Sequence, residues 1–470
     1  MAELTSAGAD FAGRQDFAGR SVLVCGTGLA GRSAIRALLA VGAVVSVCAD
    51  GPAPADVAEL AAGGARFLGE LARVPAGTEV VVTSPGLPPS HPVLTAAATG
   101  GIGVLGELEL AWRLRGPDAA PWLVVTGTNG KTTTVRMVES ILLAAGRRVA
   151  AVGNVGVPVI DAVLAEPPYE VLVVEASSFQ LHFAASLAPL GGALLNLAED
   201  HLDWHGAMAG YAADKTKVWA GAVALGNADD PLVVGLLARA GAQRVLSFTL
   251  GEPAPGQYGV RDAKLVDGAG RLLIPVADVR PAGPHNVGNA LAAAALAELA
   301  GAGIADIAAG LRAFVPDPHR NQPVGSVGGV RFVDDSKATN PHAAAASLTS
   351  FERIVWIAGG QLKGADVEPL VAEIADRLAA AVLLGVDREK IAAALARHAP
   401  DLPVIVVSRT DDGAMHEVVA AATSLASAGD VVLLAPAAAS KDMFSSYGAR
   451  GSAFSAAVLA LPGAVPEGRL

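Results

Sequence analysis

Short apolar runs of strand length, rich in valine, alternate along this chain with longer segments whose apolar residues recur at helical spacing. Ser21–Cys25 is the first run; a helix follows it through Ala40, and Val44–Cys48 is the second run, ending at Asp50. Glu79–Thr83, Pro121–Val125, Val171–Val174, Val330–Val333, Ile354–Ala358 and Val431–Leu434 continue the rhythm. After Pro121–Val125, residues Val135, Val138, Ile141, Leu142 and Ala145 mark one helix face, and Gly146 is placed to cap that helix. Runs that are apolar throughout read as strands covered on both faces, so the pattern predicts an α/β protein built on parallel sheets. Proline and glycine interrupt it at Gly116–Pro121 and again at Val315–Pro318. The predicted domains are therefore 1–115, 116–315 and 316–470, in keeping with a chain of 470 residues.

Composition narrows the classes of function. A formal net charge of −11, without basic stretches, argues against nucleic acid as a partner. Met1-Ala2-Glu3-Leu4 is not a basic segment leading into an apolar core, so no secretory signal is visible. The apolar stretch around Leu291–Ala300 is interrupted by Glu298 and Asp306 and falls short of a membrane span. Cys25 and Cys48 each lie inside an apolar run and read as small buried thiols. A soluble, cytoplasmic protein without membrane insertion is expected, and a monomer.

The chemistry collects where strands end. Thr126-Gly127-Thr128-Asn129-Gly130-Lys131-Thr132-Thr133 lies between a strand and a helix, the architecture that presents backbone N–H groups and a helix N-terminus to phosphate. Lys131 is placed to reach a terminal phosphate and Thr132 to ligate Mg²⁺. Gly127 and Gly130 enclose two residues rather than the four of the strict P-loop, so the match is to a shorter variant. Glu175, delivered by the strand Val171–Val174, is an acid at a carboxyl edge, where Mg²⁺ can be held. Upstream, Gly26-Thr27-Gly28-Leu29-Ala30-Gly31 with Asp50 satisfies a dinucleotide fingerprint, which alone predicts an NAD enzyme. Such a loop cradles any diphosphate, and the phosphate loop downstream outweighs the NAD reading.

Other stretches stay open on local grounds. Ser84-Pro85-Gly86 and Gly153-Asn154 fit rigid turns as well as ligand contacts. Asp200-His201-Leu202-Asp203-Trp204-His205 suggests zinc, yet no further His/Cys pair of suitable spacing follows, so an oxygen ligand or a second Mg²⁺ suits His201 better. Spacing alone favours solvated surface charge for Lys215 and Lys217. Asn286 or Asn289, before the Ala-rich helix Ala290–Ala300, reads as a helix cap or a purine contact. Asp334–Pro341, Gly359–Gly364 and Ala435–Ser440 follow three strands and together suggest a second substrate wall.

Taken in order, these motifs resemble the Mur ligases. The similarity runs through the short phosphate loop, Gly153-Asn154, Glu175-Ala176-Ser177-Ser178-Phe179-Gln180, Asp200–Asp203, Asn289–Ala292 and His319-Arg320, and covers the chain from about residue 20. Ser178-Phe179-Gln180 and Asp335–Asn340 look like the branch that adds D-glutamate. The resemblance implies a Rossmann-like UDP-binding domain, a central P-loop-ATPase-like domain and a Rossmann-like C-terminal domain. It implies ATP, D-glutamate and UDP-N-acetylmuramoyl-L-alanine as substrates, joined through an acyl phosphate.

By the same resemblance, Gly127–Thr133, Asn289, Arg320 and Asp335 serve ATP, with Asp335 on the ribose. Thr132 and Glu175 hold one Mg²⁺, and His201 with a carbamylated Lys215 holds a second. Leu29, Ala30, Gly31, Asp50, Ser84, Pro85, Gly86 and Asn154 meet the UDP-sugar, and Lys337, Thr339, Lys363, Ser440 and Tyr447 meet D-glutamate. The catalytic set is Lys131, Asn154, Glu175, His201 and Lys215. The chain departs from the family at Asn321, where an aromatic is usual, in the plain Ala435–Ala439 loop, and at Tyr447 in place of Phe.

Overall fold

The computed structural model describes residues 13–49, 51, 54–116, 118–411 and 413–467; Asp50 lies outside the described residues. Two compact units emerge. The first takes in the described residues up to Leu197, then His201–Val279 and Val287–Phe314; the second takes in Ala198–Asp200, Arg280–Asn286 and the chain from Val315.

In the first unit, a five-stranded parallel sheet runs Arg66–Phe67, Val44–Cys48, Ser21–Cys25, Val80–Thr83, Gly103–Leu105. A six-stranded parallel sheet runs Arg244–Phe248, Val223–Asn227, Gly191–Leu194, Trp122–Thr126, Val171–Glu175, Val149–Gly153. Trp122–Thr126 thus occupies an interior place, and all five of its residues are buried, as expected of a strand covered on both faces. The helix Lys131–Ala144 covers one face by burying Val135, Val138, Ile141 and Leu142 completely. Each such side chain contributes about 1.5–3 kcal/mol relative to exposure. On the other face Gly192 admits the close approach of Val218, since a Cβ there would lie 1.8 Å from the Val218 carbonyl oxygen. A small antiparallel sheet, Gly259–Arg261, Lys264–Val266 and Leu272–Pro275, is appended.

Buried carboxylates tie the two larger sheets together within this unit. The helix Glu107–Arg113 aims Glu107 at the backbone N–H of Val159 (2.9 Å) and the Gln180 amide (3.3 Å). Glu109, fully buried, accepts from the backbone of Ala185 and Ser186, the Ser186 hydroxyl and the Arg113 guanidinium at 2.7–2.9 Å. A carboxylate with that many donors offsets the cost of its own desolvation.

The second unit holds a seven-stranded sheet in the order Val404–Val406, Leu378–Leu384, Ile354–Gly359, Val431–Leu434, Val330–Asp334, Gln322–Val327, Val465–Pro466. The first five strands are parallel and the last two pairings antiparallel. One expectation is corrected in detail. The Ala-rich helix begins at Pro284 rather than Ala290, because proline suits a first helical turn, so neither Asn286 nor Asn289 is its cap.

Removing Glu109 leaves the buried Arg113 charge without its carboxylate. Glu109→Ala is expected to lower the unfolding free energy by about 3–5 kcal/mol, read by urea denaturation. A loss under about 1 kcal/mol would show that Arg113 does not depend on Glu109.

Candidate functional site

The phosphate loop of the first unit is held from several sides. Gly127 and Gly130 have φ of 157° and 83°, and a Cβ at Gly130 would come within 2.5 Å of the Asn289 Oδ1. Asn196, at the end of the neighbouring strand, accepts from the Asn129 N–H (2.8 Å) and donates to the Asn129 carbonyl (3.1 Å). Asn289 accepts from the Thr134 hydroxyl at 3.2 Å, so its side chain sits against the first turns of the phosphate-loop helix. The Lys131 ammonium folds back onto the Gly127 and Thr128 carbonyls, 2.8 Å from each.

Lys215 reaches the same loop from the helix Met208–Thr216. Only 1% exposed, it donates to the Gly127 carbonyl (2.7 Å) and the Thr126 hydroxyl (3.3 Å), with its Nζ 4.6 Å from the Tyr211 ring centroid. The surface position that spacing favoured for Lys215 is therefore overturned: Tyr211 and Lys215 lie one turn apart on a buried helix face. Lys217 is the more exposed of the two lysines, and donates to the carbonyls of Leu181 and His182.

Glu175 ends its strand in register with Val125 and Gly153. The Asn154 amide donates to its Oε1 at 2.8 Å, while its Oε2 is buried without a hydrogen-bond donor. An orphaned carboxylate oxygen in a buried place is what a cation ligand leaves when considered by itself. Thr132 is half-buried on the first turn of the phosphate-loop helix and Thr133 is buried beside it. His201 has a left-handed backbone (φ 54°) at the start of the short helix Leu202–His205, and its ring packs edge-on against Phe179, 4.7 Å between centroids.

Sequence reasoning found no partner for His205, but the fold supplies two. His182 and His205 both present Nδ1 to the Asp214 Oδ2, at 2.8 and 3.2 Å, and Lys217 contacts Oδ1 at 3.0 Å. The three ligand atoms lie within 4.8 Å of one another, the spacing of a possible metal group. The network is nevertheless complete as it stands, since His205 Nε2 meets the Ser178 hydroxyl at 2.9 Å. Burial alone raises the Asp214 pKa, but the two imidazoles and Lys217 outweigh it and hold the carboxyl well below the usual range.

The upstream loops also meet. A Cβ at Gly26 would fall 2.3 Å from the Ser84 hydroxyl, and one at Gly31 would fall 2.1 Å from the Gly26 carbonyl, so the turn accepts only glycine at both places. Ser84 Oγ is buried without a hydrogen-bond partner, and Leu29, 79% exposed, opens the helix Leu29–Ala40, followed by Ala30. Pro85 and Gly86 form the turn after Thr83. Cys25 and Cys48 are buried register partners on adjacent strands, with the Cys48 thiol 3.3 Å from the Cys25 sulfur.

In the second unit, Asp335 is buried, accepts from the Ser347 hydroxyl and the Asn321 N–H, and feels the Arg320 charge. Lys337 lies 4.0 Å from the Tyr447 ring centroid, a cation–π contact. Ser440 is buried; Thr339 is half-buried before Asn340, whose side chain caps the helix Pro341–Leu348. Lys363 is exposed with φ of 53°.

Three segments of the chain match known protein families. Residues 20–106 match the "Mur ligase MurD-like, N-terminal domain", 125–297 the "Mur ligase middle domain" and 319–438 the "Mur ligase, glutamate ligase domain". The chain is 52% identical to the UDP-N-acetylmuramoylalanine–D-glutamate ligase of Streptomyces avermitilis, over 94% of this chain and 98% of that protein. It is 53% identical to the enzyme of the same name from Thermobifida fusca, over 95% and 99%. Among solved structures it resembles a pseudomurein peptide ligase type C from Methanothermus fervidus (TM-score 0.57, 19% identity, 88% of this chain and 96% of that one). It also resembles MurF from Acinetobacter baumannii (TM-score 0.57, 18% identity, 83% and 86%). At these identities the two structures speak for the fold.

Asp335 generates a pH prediction. Burial, opposed by Ser347 and Arg320, pushes its pKa up to about 7. The folded chain therefore keeps this proton above about pH 4, where the unfolded chain releases it, and its contribution to stability falls as pH rises toward 7. Asp335→Asn is expected to melt above the unsubstituted protein at pH 8, with the gap narrowing toward pH 4.5. A gap that does not change with pH would contradict the assignment.

Proposed function

The chain belongs to the Mur ligase family, and from that premise we propose that it joins D-glutamate to UDP-N-acetylmuramoyl-L-alanine, using ATP and forming ADP and phosphate, in peptidoglycan precursor synthesis. The observation that carries this reading is identity above 50%, over nearly the whole chain, to proteins named for that reaction. The proposed division of labour is UDP-binding by 1–115, ATP-binding by 116–315 and D-glutamate-binding by 316–470.

The reaction begins with two anions. The muramoyl-alanine carboxylate must attack the γ-phosphorus of ATP, and two unit charges 4 Å apart repel by about 4 kcal/mol near a protein surface. Lys131 answers this: a phosphate oxygen within the loop draws its ammonium away from the Gly127 and Thr128 carbonyls it holds. The backbone N–H groups of Gly127–Thr133 cradle the remaining oxygens. ADP leaves, the D-glutamate amine attacks the acyl carbon, and the tetrahedral adduct expels phosphate to leave the amide.

Mg²⁺ fits the donors present. Glu175 Oε2, buried and unpartnered, and the Thr132 hydroxyl would hold one ion, with Asn154 orienting the carboxylate through Oε1. His201 and a carbamylated Lys215 would hold a second. When bound, Mg²⁺ supplies charge neutralisation between the reacting anions. Carbamylation would turn the buried Lys215 from a cation into a carboxylate able to hold a metal ion.

Asn289, Arg320 and Asp335 are assigned to ATP. Leu29, Ala30, Gly31, Asp50, Ser84, Pro85, Gly86 and Asn154 are assigned to the UDP-sugar. Lys337 and Lys363 supply the positive charge that a dicarboxylic amino acid requires, with Thr339, Ser440 and Tyr447 completing its contacts. Among the described residues no helix is long and apolar enough to cross a membrane. The nucleotide-linked substrates favour action in the cytoplasm, and none of the proposed steps calls for a second copy of the chain.

Phosphate release from ATP with UDP-N-acetylmuramoyl-L-alanine should depend strictly on D-glutamate. Release with L-glutamate or diaminopimelate instead would move the protein to a sister reaction, and no release with any amino acid would remove the ligase reading. Lys131→Met is expected to lower kcat about 100- to 1000-fold. Lys215→Ala should lose activity and regain part of it with acetate or another short carboxylate; a variant that stays inactive under those conditions would argue against carbamylation.

A further inference from the structure

Arg450 carries a guanidinium that is 1% exposed, and among the described residues no carboxylate forms an ion pair with it. It projects from the helix Tyr447–Leu459 and spends its donors on backbone and hydroxyl groups instead. Nε donates to the Ser336 hydroxyl and Nη2 to the Ser336 carbonyl, each at 2.9 Å. Nη1 reaches the Ala438 carbonyl at 3.1 Å and the Gly359 carbonyl at 3.4 Å. These acceptors lie at or just past the ends of Val330–Asp334, Val431–Leu434 and Ile354–Gly359, strands that are neighbours in one sheet. One side chain therefore spans three strand-end loops, and those loops carry Lys337 and Thr339, Ser440, and Lys363.

The loops need such a fastening. Lys363 and Ala437 have φ of 53° and 57°, conformations that side chains other than glycine adopt at a cost and keep only when their surroundings impose them. Gly360, with φ of 133°, leaves no room for a Cβ, which would lie 2.1 Å from the Ala439 carbonyl oxygen and 3.3 Å from Arg450 Nη1. Gln361 and Ala439 exchange two backbone hydrogen bonds, at 2.8 and 2.9 Å. Ser336 closes the circuit by donating its hydroxyl to the Tyr447 carbonyl at 2.8 Å. An apolar residue of similar volume would be buried at less cost than this charge. A planar fork with donors on three sides does what neither an apolar side chain nor a lysine does, which is to fix the spacing of three separate backbones.

We infer that Arg450 is a positioning residue for the incoming amino acid, setting the mutual register of the three loops that hold it without touching it. The inference rests on the ligase reading above and adds to it a residue assigned through its contacts alone. Steady-state phosphate release tests it, with the unsubstituted protein, Arg450→Lys and Arg450→Met. Both variants should raise the KM for D-glutamate about 10- to 100-fold, the scale on which small misplacements act, and leave the KM for ATP and for the UDP-sugar within about twofold. In Arg450→Ala, added guanidinium ion should lower the D-glutamate KM again.

A D-glutamate KM within about twofold of the unsubstituted value in a folded variant would overturn the inference, as would a parallel rise in all three constants. Should the Arg450 variants fail to fold, Ser336→Ala keeps the arginine and removes the hydroxyl that accepts from Nε; it should raise the D-glutamate KM alone, and an unchanged value overturns the proposal. If the unsubstituted protein releases no phosphate with D-glutamate, the ligase reading fails; if it does and the variants do not shift, only the role of Arg450 fails.

Discussion

A carboxylate buried with one oxygen unpartnered is expensive, and the first unit is arranged around that expense. Glu175 sits buried at the end of a strand whose preceding residues are all apolar. Its strand pairs with the one that launches the phosphate loop, and the Thr126 hydroxyl at that strand's end binds the Ala176 carbonyl. Lys215 binds both Thr126 and Gly127, bringing its Nζ to the same strand edge. Two ionisable side chains, Glu175 and Lys215, thus lie at one low-dielectric corner of the strand edge, where charge matters more than it would in water. Such a corner suits the transfer of a phosphoryl group between anions.

The surrounding polar network supports that corner at one remove. Glu107 holds Gln180, and Gln180 closes a capping box with Ser177 at the start of the short helix that follows Glu175. Asp214, adjacent to Lys215, is fixed by His182, His205 and Lys217, so the helix presenting Lys215 is anchored by charge as well as by packing. The second unit uses the opposite sign. Arg450 lies at its centre, with Asp334 close by and bound to His319 at 2.6 Å, and the charged groups order loops rather than line a surface. Unlike Glu175, the buried Glu109, Asp214 and Arg450 have hydrogen-bond partners that offset the cost of their burial with fixed geometry.

Some parts of this arrangement were legible in the sequence and others were not, for identifiable reasons. The strand–loop–helix at Thr126–Thr133 and the acid ending Val171–Glu175 are local features, visible because strand, turn and helix leave their own periodicities. Lys215 looked like surface charge because a lysine four residues after a tyrosine says nothing about which face of a helix is buried. Asn196 offered a weaker signal, a polar residue just after an apolar strand, and its grip on Asn129 depends on two strands distant in sequence lying side by side. The partners of His205 were hidden for the same reason: Asp214 and Ser178 lie 9 and 27 residues away in sequence, on other helices.

By itself the sequence determined the alternation of strands and helices, the strand–loop–helix at Thr126–Thr133 and the glycines at 26, 31, 127 and 130, because each depends on neighbours only a few residues away. Only the tertiary structure decided which charges are buried and what they bind. Glu109, Asp214 and Arg450 carry no local signature, since a buried ion is defined by donors and acceptors drawn from several elements, and sequence spacing holds no record of which strand ends come to lie together.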